Sequence, residues 1–305
     1  MFRILLLLVI PGAASAAPLV PDPPNNCESC AGWNEPRAPF RIWGDTWFVG
    51  TRGLSSILIT SPQGHILIDG GLPQSAPLIA ANIEKLGFKL TDVKLILNSH
   101  THYDHAGGIA ALQRASGADV AASPAAKRAL EHGGPLEDDP QFAFGPAHND
   151  YRPVKNVRAV HDGEVLQVGP NKITVHFTPG HTPGGTSWEW TSCDRDNCRT
   201  VFYVDSLNPV SAPGFRFTGD ATHPSRLAEF ERSIDAIAAL ECRGILLAPH
   251  PELVDLDARL AAAAEQRLDY LPGARGACKD YAAAARARLD KRIAEETASA
   301  PGKMN

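Results

Sequence analysis

Short apolar runs bounded by Gly, Pro, Asn and Asp recur along the chain and set its first structural reading. Residues 47–49, 56–60 and 65–69 have strand character, and the third run ends in Gly70-Gly71. Between 76 and 86 the apolar positions Ile79, Ile83 and Leu86 return at helical spacing, which predicts a helix. A compact strand over 93–97 stops at Asn98-Ser99-His100, and 107–115 reads as the next helix. In the second half, 165–168 and 173–177 read as strands until Thr178-Pro179-Gly180-His181 breaks the pattern. Strands over 187–191 and 200–204 are expected to pair around the turn Asp194-Arg195-Asp196-Asn197. A helix over 226–240 follows, then a strand over 244–247 that ends at Ala248-Pro249-His250. The Ala- and Arg-rich stretch 258–296 predicts one long closing helix. Trp188 and Trp190 share a strand face and are expected to pack under a helix.

Two strand-rich halves with helices between and after them imply two packed sheets with helices outside. No repeat period points to a solenoid or propeller. The 305 residues are expected to divide into a leader at 1–16, an N-terminal arm at 17–40, a single domain at 41–298 and a flexible tail at 299–305. Hydrophobic residues make up 44% of the chain, enough for a sizeable core, and a net charge of -5 argues against a nucleic-acid binder. Arg3, the apolar run 4–10 and Ala14-Ser15-Ala16 form a secretory leader cut after Ala16 or Ala17. The run is well short of the roughly 20 residues that cross a bilayer. Six cysteines behind a leader suggest disulfides in an oxidising compartment such as the periplasm. They fall into neighbouring pairs along the chain, of which Cys193 and Cys198 across the turn is the firmest; connectivity stays open. A structural zinc site on Cys27 and Cys30 plus a second pair is opposed by the leader and by the lack of a second CxxC.

The chemistry gathers at His100-Thr101-His102-Tyr103-Asp104-His105. His100 and His102 alternate by two, so both imidazoles can face one side, and Asp104 and His105 follow on the turn. Imidazole with carboxylate suits zinc, whereas thiolate is absent and oxygens are too few for calcium. The cluster could serve one ion or divide between two. Two further histidines after apolar strands, His181 in Gly180-His181-Thr182-Pro183-Gly184-Gly185 and His250 in Pro249-His250-Pro251, raise the count to six donors. Six donors are a natural set for two metals.

His-x-His-x-Asp-His, then Gly-His-Thr-Pro-Gly-Gly, then a lone His after a strand, resembles the metallo-β-lactamase superfamily. The likeness runs from about Trp43 to His250, with Asp69-Gly70-Gly71 fitting as well. Within it, Gly180–Trp188 and Tyr203-Val204-Asp205-Ser206-Leu207 resemble subclass B3, which has no zinc-binding cysteine where Ser206 stands. The resemblance implies an αββα sandwich: two mixed β-sheets face to face, helices on both outer faces, metals at one edge. It implies two Zn2+ ions per chain, one on His100, His102 and His181, the other on Asp104, His105 and His250. It further implies hydrolysis of the β-lactam amide of penicillins, cephalosporins and carbapenems by a zinc-bound hydroxide. Asp104 would be both ligand and catalytic orienter of that water. Ser206, Thr186 and Asn208 would meet substrate, Asn208 through its amide, with Gln141 at the rim. The only partner expected is the small-molecule substrate, with no nucleic acid and no membrane, and the chain as a monomer.

Relatives on this scaffold also include thioesterases and lactonases. Those use a bridging aspartate after the second-half histidine, a role that Asp205 would then fill. A non-catalytic zinc- or carbohydrate-binding protein is the third reading, opposed by the intact set of six donors. Among the other histidines, His148 in the loop 138–153 is the one placed to overhang the site, and the arm around Trp33 is the other segment that can fold over it.

Overall fold

The computed structural model describes residues 19–221, 223–240, 242–273 and 275–298. The leader at 1–16 and the tail at 299–305 lie outside the described residues. The first half runs α1 (Cys30–Trp33), β1 (Phe40–Trp43), β2 (Thr46–Phe48), β3 (Ile57–Ile59), β4 (His65–Ile68) and α2 (Ala76–Lys85). It continues with β5 (Val93–Leu97), α3 (Tyr103–Ala106), α4 (Ile109–Ser116), β6 (Asp119–Ala122), α5 (Pro124–His132), α6 (Pro146–Asn149) and β7 (Val157–Ala159). The second half comprises β8 (Val165–Val168), β9 (Asn171–Phe177), β10 (Thr186–Asp194), β11 (Asn197–Tyr203) and α7 (Leu227–Ala239). β12 (Ile245–Leu247), α8 (Leu256–Glu265) and α9 (Ala277–Ala298) complete it.

β1 to β7 form one sheet in chain order, antiparallel up to β4 and parallel beyond it. The second sheet has the order β12-β11-β10-β9-β8, with only the β11–β12 pair parallel. Period-two alternation sorts the side chains. Ile57, Ile59, Ile66 and Ile68 face the second sheet, while Leu58 and Leu67 face α2 and α4 on the outside. Phe202 and Leu246 turn outward to α7 and α9. Three buried layers result, one between the sheets and one under each helical face, so the fold is the expected αββα sandwich.

Two expectations fail for physical reasons. Trp188 and Trp190 pack between the sheets, not under a helix, and the Trp190 indole donates to Thr46 Oγ1 at 2.9 Å. The long closing helix is broken into α8 and α9. Pro272 cannot donate a helical hydrogen bond, and a Cβ at Gly273 would lie 2.6 Å from the Gly244 carbonyl oxygen. Leu271, fully buried, donates its amide to Ile42 at 2.9 Å, which ties the break to β1. The structure pairs Cys27 with Cys30, Cys193 with Cys198 and Cys242 with Cys278. No helix among the described residues is long and apolar enough to cross a membrane.

Candidate active site

The ends of β4, β5, β11 and β12 and the 178–185 turn before β10 meet at one edge of the sandwich. Asp69, just past β4, is fully buried and has a left-handed backbone (φ 61°). Its carboxylate accepts from Asn98 Nδ2 (3.0 Å), Ser99 N (2.7 Å), Ser99 Oγ (2.6 Å) and the Tyr203 hydroxyl (2.7 Å). That buttress fixes the bend from which His100 leaves β5. A Cβ at Gly108 would sit 2.2 Å from the Gly70 carbonyl oxygen, so the glycines let the start of α4 close over the bend.

His100, His102 and His181 converge, each buried, with donor atoms within 4.8 Å of one another. Each has one ring nitrogen held from behind. His100 Nδ1 pairs with Asp205 Oδ1 at 2.8 Å, His102 Nε2 with Asp139 Oδ1 at 3.1 Å, and His181 Nδ1 donates to the Asn208 carbonyl at 2.6 Å. The nitrogens left to face one another are His100 Nε2, His102 Nδ1 and His181 Nε2, and His100 Nε2 is buried with no partner. Beside them His105 Nε2 and His250 Nε2 lie 3.1 Å apart, and Asp104 Oδ2 is 3.1 Å from the first and 3.2 Å from the second. Such a triangle is close to the edge of a zinc tetrahedron, about 3.3 Å for bonds of roughly 2.0–2.1 Å. His100 stands next to Asp104 and His105 too, within 4.8 Å, which makes the two clusters contiguous.

The electrostatics suit a cation. Burial, then the neighbouring His105, His181 and His102, holds His100 well below the ordinary histidine value. Burial and His102 push His181 down to about 3. Both rings are therefore neutral, with lone pairs available. Burial opposes protonation of His102 and His250, but Asp139 outweighs it for the first and Asp104 for the second, and both values rise. Asp104 stays ionised, because His105 and His250 overcome the effect of its burial. The donor set fits zinc at both clusters.

The structure relocates several other expectations. Ser206 is buried beside Asp205, and its hydroxyl has no partner. Thr186 is fully buried and gives its hydroxyl to the Gly184 carbonyl at 3.0 Å, which places it inside the turn and away from the cleft surface. Asn208 contributes its backbone carbonyl, which accepts from His181. Gln141 donates its backbone N–H to Asp139 Oδ1 at 2.8 Å. His148 reaches the Tyr103 hydroxyl at 3.3 Å, and Trp33 packs on the His250 ring at 5.3 Å, so both overhanging segments meet the site. Asp139 went unread in the sequence; its one local signal is the turn Asp138-Asp139-Pro140 before Gln141. A groove of about 750 Å³ at the opposite edge, around Trp47, His65 and Phe88, contains none of these donors.

Residues 49–190 match the profile described as the metallo-beta-lactamase superfamily. Rm3 metallo-beta-lactamase is 51% identical, with 89% of this chain and 99% of that one covered and a TM-score of 0.85. MEM-A1, a subclass B3 metallo-beta-lactamase isolated from a soil metagenome library, is 49% identical, covering 88% and 100%, with a TM-score of 0.84. The chain belongs to the metallo-β-lactamase superfamily, in subclass B3. Both likenesses cover nearly nine-tenths of this chain. A hydroxyacylglutathione hydrolase of Rhodopseudomonas palustris (strain BisB5) is 33% identical over 150 residues, 49% of this chain and 46% of that protein. The chain spans about half the length of the curated relatives it matches.

Proposed function

We propose that the chain is an exported zinc β-lactamase that opens the β-lactam amide of penicillins, cephalosporins and carbapenems, acting as a monomer in the periplasm. Near full-length likeness to two metallo-beta-lactamases supports the reaction class. The leader pattern and three disulfides support export. His100, His102 and His181 would hold one zinc, and Asp104, His105 and His250 a second. Zinc bound there supplies a Lewis acid and a water acidic enough to be a nucleophile at neutral pH.

The protein's own groups do the rest. Asp205, Asp139 and the Asn208 carbonyl fix three imidazoles in their working tautomers. Asp104 uses one oxygen toward His105 and His250, and the other is the proposed acceptor that orients the attacking water. The Asn208 side-chain amide is the proposed hydrogen-bond donor to the substrate carboxylate, with the buried Ser206 hydroxyl acting on it through water and Thr186 supporting both from the turn behind. Burial of the donors excludes bulk water and strengthens each of these contacts.

The observation that carries the reading is the placement of Asp205. It stands behind His100, on Nδ1, and so positions that ring from the side remote from the other donors. A thioesterase of the hydroxyacylglutathione type, favoured by the half-length likeness, would need this carboxylate between the two metals. Assaying the purified mature chain on a chromogenic cephalosporin and on a hydroxyacylglutathione thioester separates the two. Ring opening should dominate; thioester cleavage without ring opening would overturn the proposal. Asp205→Asn sharpens the choice: a positioning role keeps both zincs and weakens binding by about 10–100-fold, whereas a bridging ligand loses a zinc outright.

A further inference from the structure

The three imidazoles of the first cluster differ in where their rear partners come from. His100 and His181 are held by residues 205–208, but His102 is held by Asp139, from a separate segment of the chain. That segment, 136–151, grips the loop of His102 at two further points and the stretch after Asn208 at a third. The Tyr151 hydroxyl donates to the Thr101 carbonyl at 3.0 Å, His148 meets Tyr103, and the Pro140 carbonyl accepts from Ala212 N at 2.9 Å. It also carries Phe142 and Phe144, both exposed, at 42% and 39%. Asp139 itself is 3% exposed, and its Oδ1 accepts from both His102 Nε2 and Gln141 N.

We infer that Asp139 is a positioning residue through which metal occupancy at His102 and the order of the 136–151 segment are coupled; this rests on the zinc reading above. The physical case is direct. An ion on His102 Nδ1 draws electron density from the ring and makes its Nε2–H a stronger donor, and a buried carboxylate is the acceptor that gains most from this. The same oxygen nucleates the turn at Gln141, so tightening one bond orders the other. By linkage, an ordered segment must raise metal affinity by the factor with which the metal orders the segment.

Asp139→Asn tests this cleanly, because the amide keeps the size and an acceptor oxygen for Gln141 N while the charge is lost. On the full mature chain, stepwise zinc affinities are measured by competition with a chromophoric chelator. Hydrogen exchange of 136–151 is followed with zinc and after chelation. The wild type should bind two zincs, and chelation should speed exchange across 136–151. Asp139→Asn should weaken one of the two affinities by about 10–100-fold and flatten the exchange difference between loaded and stripped protein. Unchanged affinities with a lowered Tm would reduce Asp139 to a structural turn residue and overturn the inference. A wild type that binds no zinc would overturn the metal reading itself, and the inference with it, before any variant is compared.

Discussion

Imidazole has two nitrogens, and the site commits one of each ring to orientation and leaves the other inward. This division explains why neutral, buried histidines are tolerated so close together. Their charged forms are suppressed by burial at His100 and His181, and Asp104 supplies the negative charge that a cation would meet. His181 comes from a separate turn with no second donor beside it in sequence. His181→Ala should therefore lower kcat/KM by more than the roughly 100-fold that an outer partner is worth, with far-ultraviolet circular dichroism unchanged. Retained turnover would contradict its role as a donor. The six candidate donors that converge here were legible in the sequence because four of them share one hexapeptide and the other two follow strand ends at Gly and Pro. Asp139 was not, because it lies 37 positions from its partner and no period connects them.

At the scale of elements, α9 does more than close the chain. Tyr281 donates to the Asp205 carbonyl at 2.7 Å, and Arg288 donates to Leu207 at 3.2 Å, so the helix braces the segment that positions His100 and His181. Its far end is held by Glu296, which accepts from Arg292 Nε (2.7 Å), Phe217 N and Thr218 N (2.9 Å each) and Thr218 Oγ1 (2.7 Å). Burial alone would raise the Glu296 carboxyl, but Arg292 and these donors outweigh it and hold it below the ordinary value. A depressed folded-state value means that the stabilisation is complete above the unfolded value, about 4.3. It is lost as pH falls through the folded one. Glu296→Gln is thus expected to cost about 1.5–3 kcal/mol at pH 7 and progressively less below pH about 4; a pH-independent cost in denaturant titrations would contradict the charge argument. The other end is pinned by Cys242–Cys278, which closes a separation of 36 residues. Replacing both with serine should cost roughly 3–4 kcal/mol, read as a shift of the urea midpoint. Strands with a compact apolar run, even the short β3 and β12, were readable, as was α2 from its period, whereas β1, β6 and β7 were not, since Arg41, Asp119 and Arg158 and the alanines beside them leave no such run. α5 was missed despite a readable cap, Ser123 accepting from Ala126 N and Gly133 ending the helix. α8 and α9 merged in the sequence because their Ala-rich composition runs through the break at Pro272-Gly273.

For the whole molecule, the decisive arrangement is that two sheets of unequal width bring their strand ends to one edge, where loops from both halves meet. Neither half holds the site alone: His100, His102, Asp104 and His105 come from the first, His181 and His250 from the second. The sandwich was legible from two strand-rich halves with helices outside; which loops face each other across the cleft was set by tertiary packing that no local pattern records. The central claim is that this edge, loaded with zinc, opens β-lactam rings. Hydrolysis of a chromogenic cephalosporin and of a carbapenem by the mature protein tests it most directly, with bound zinc counted before chelation, after it and after zinc is restored. Turnover that disappears on chelation and returns with two zincs per chain is the expected result; a protein holding two zincs that opens neither ring would contradict the account.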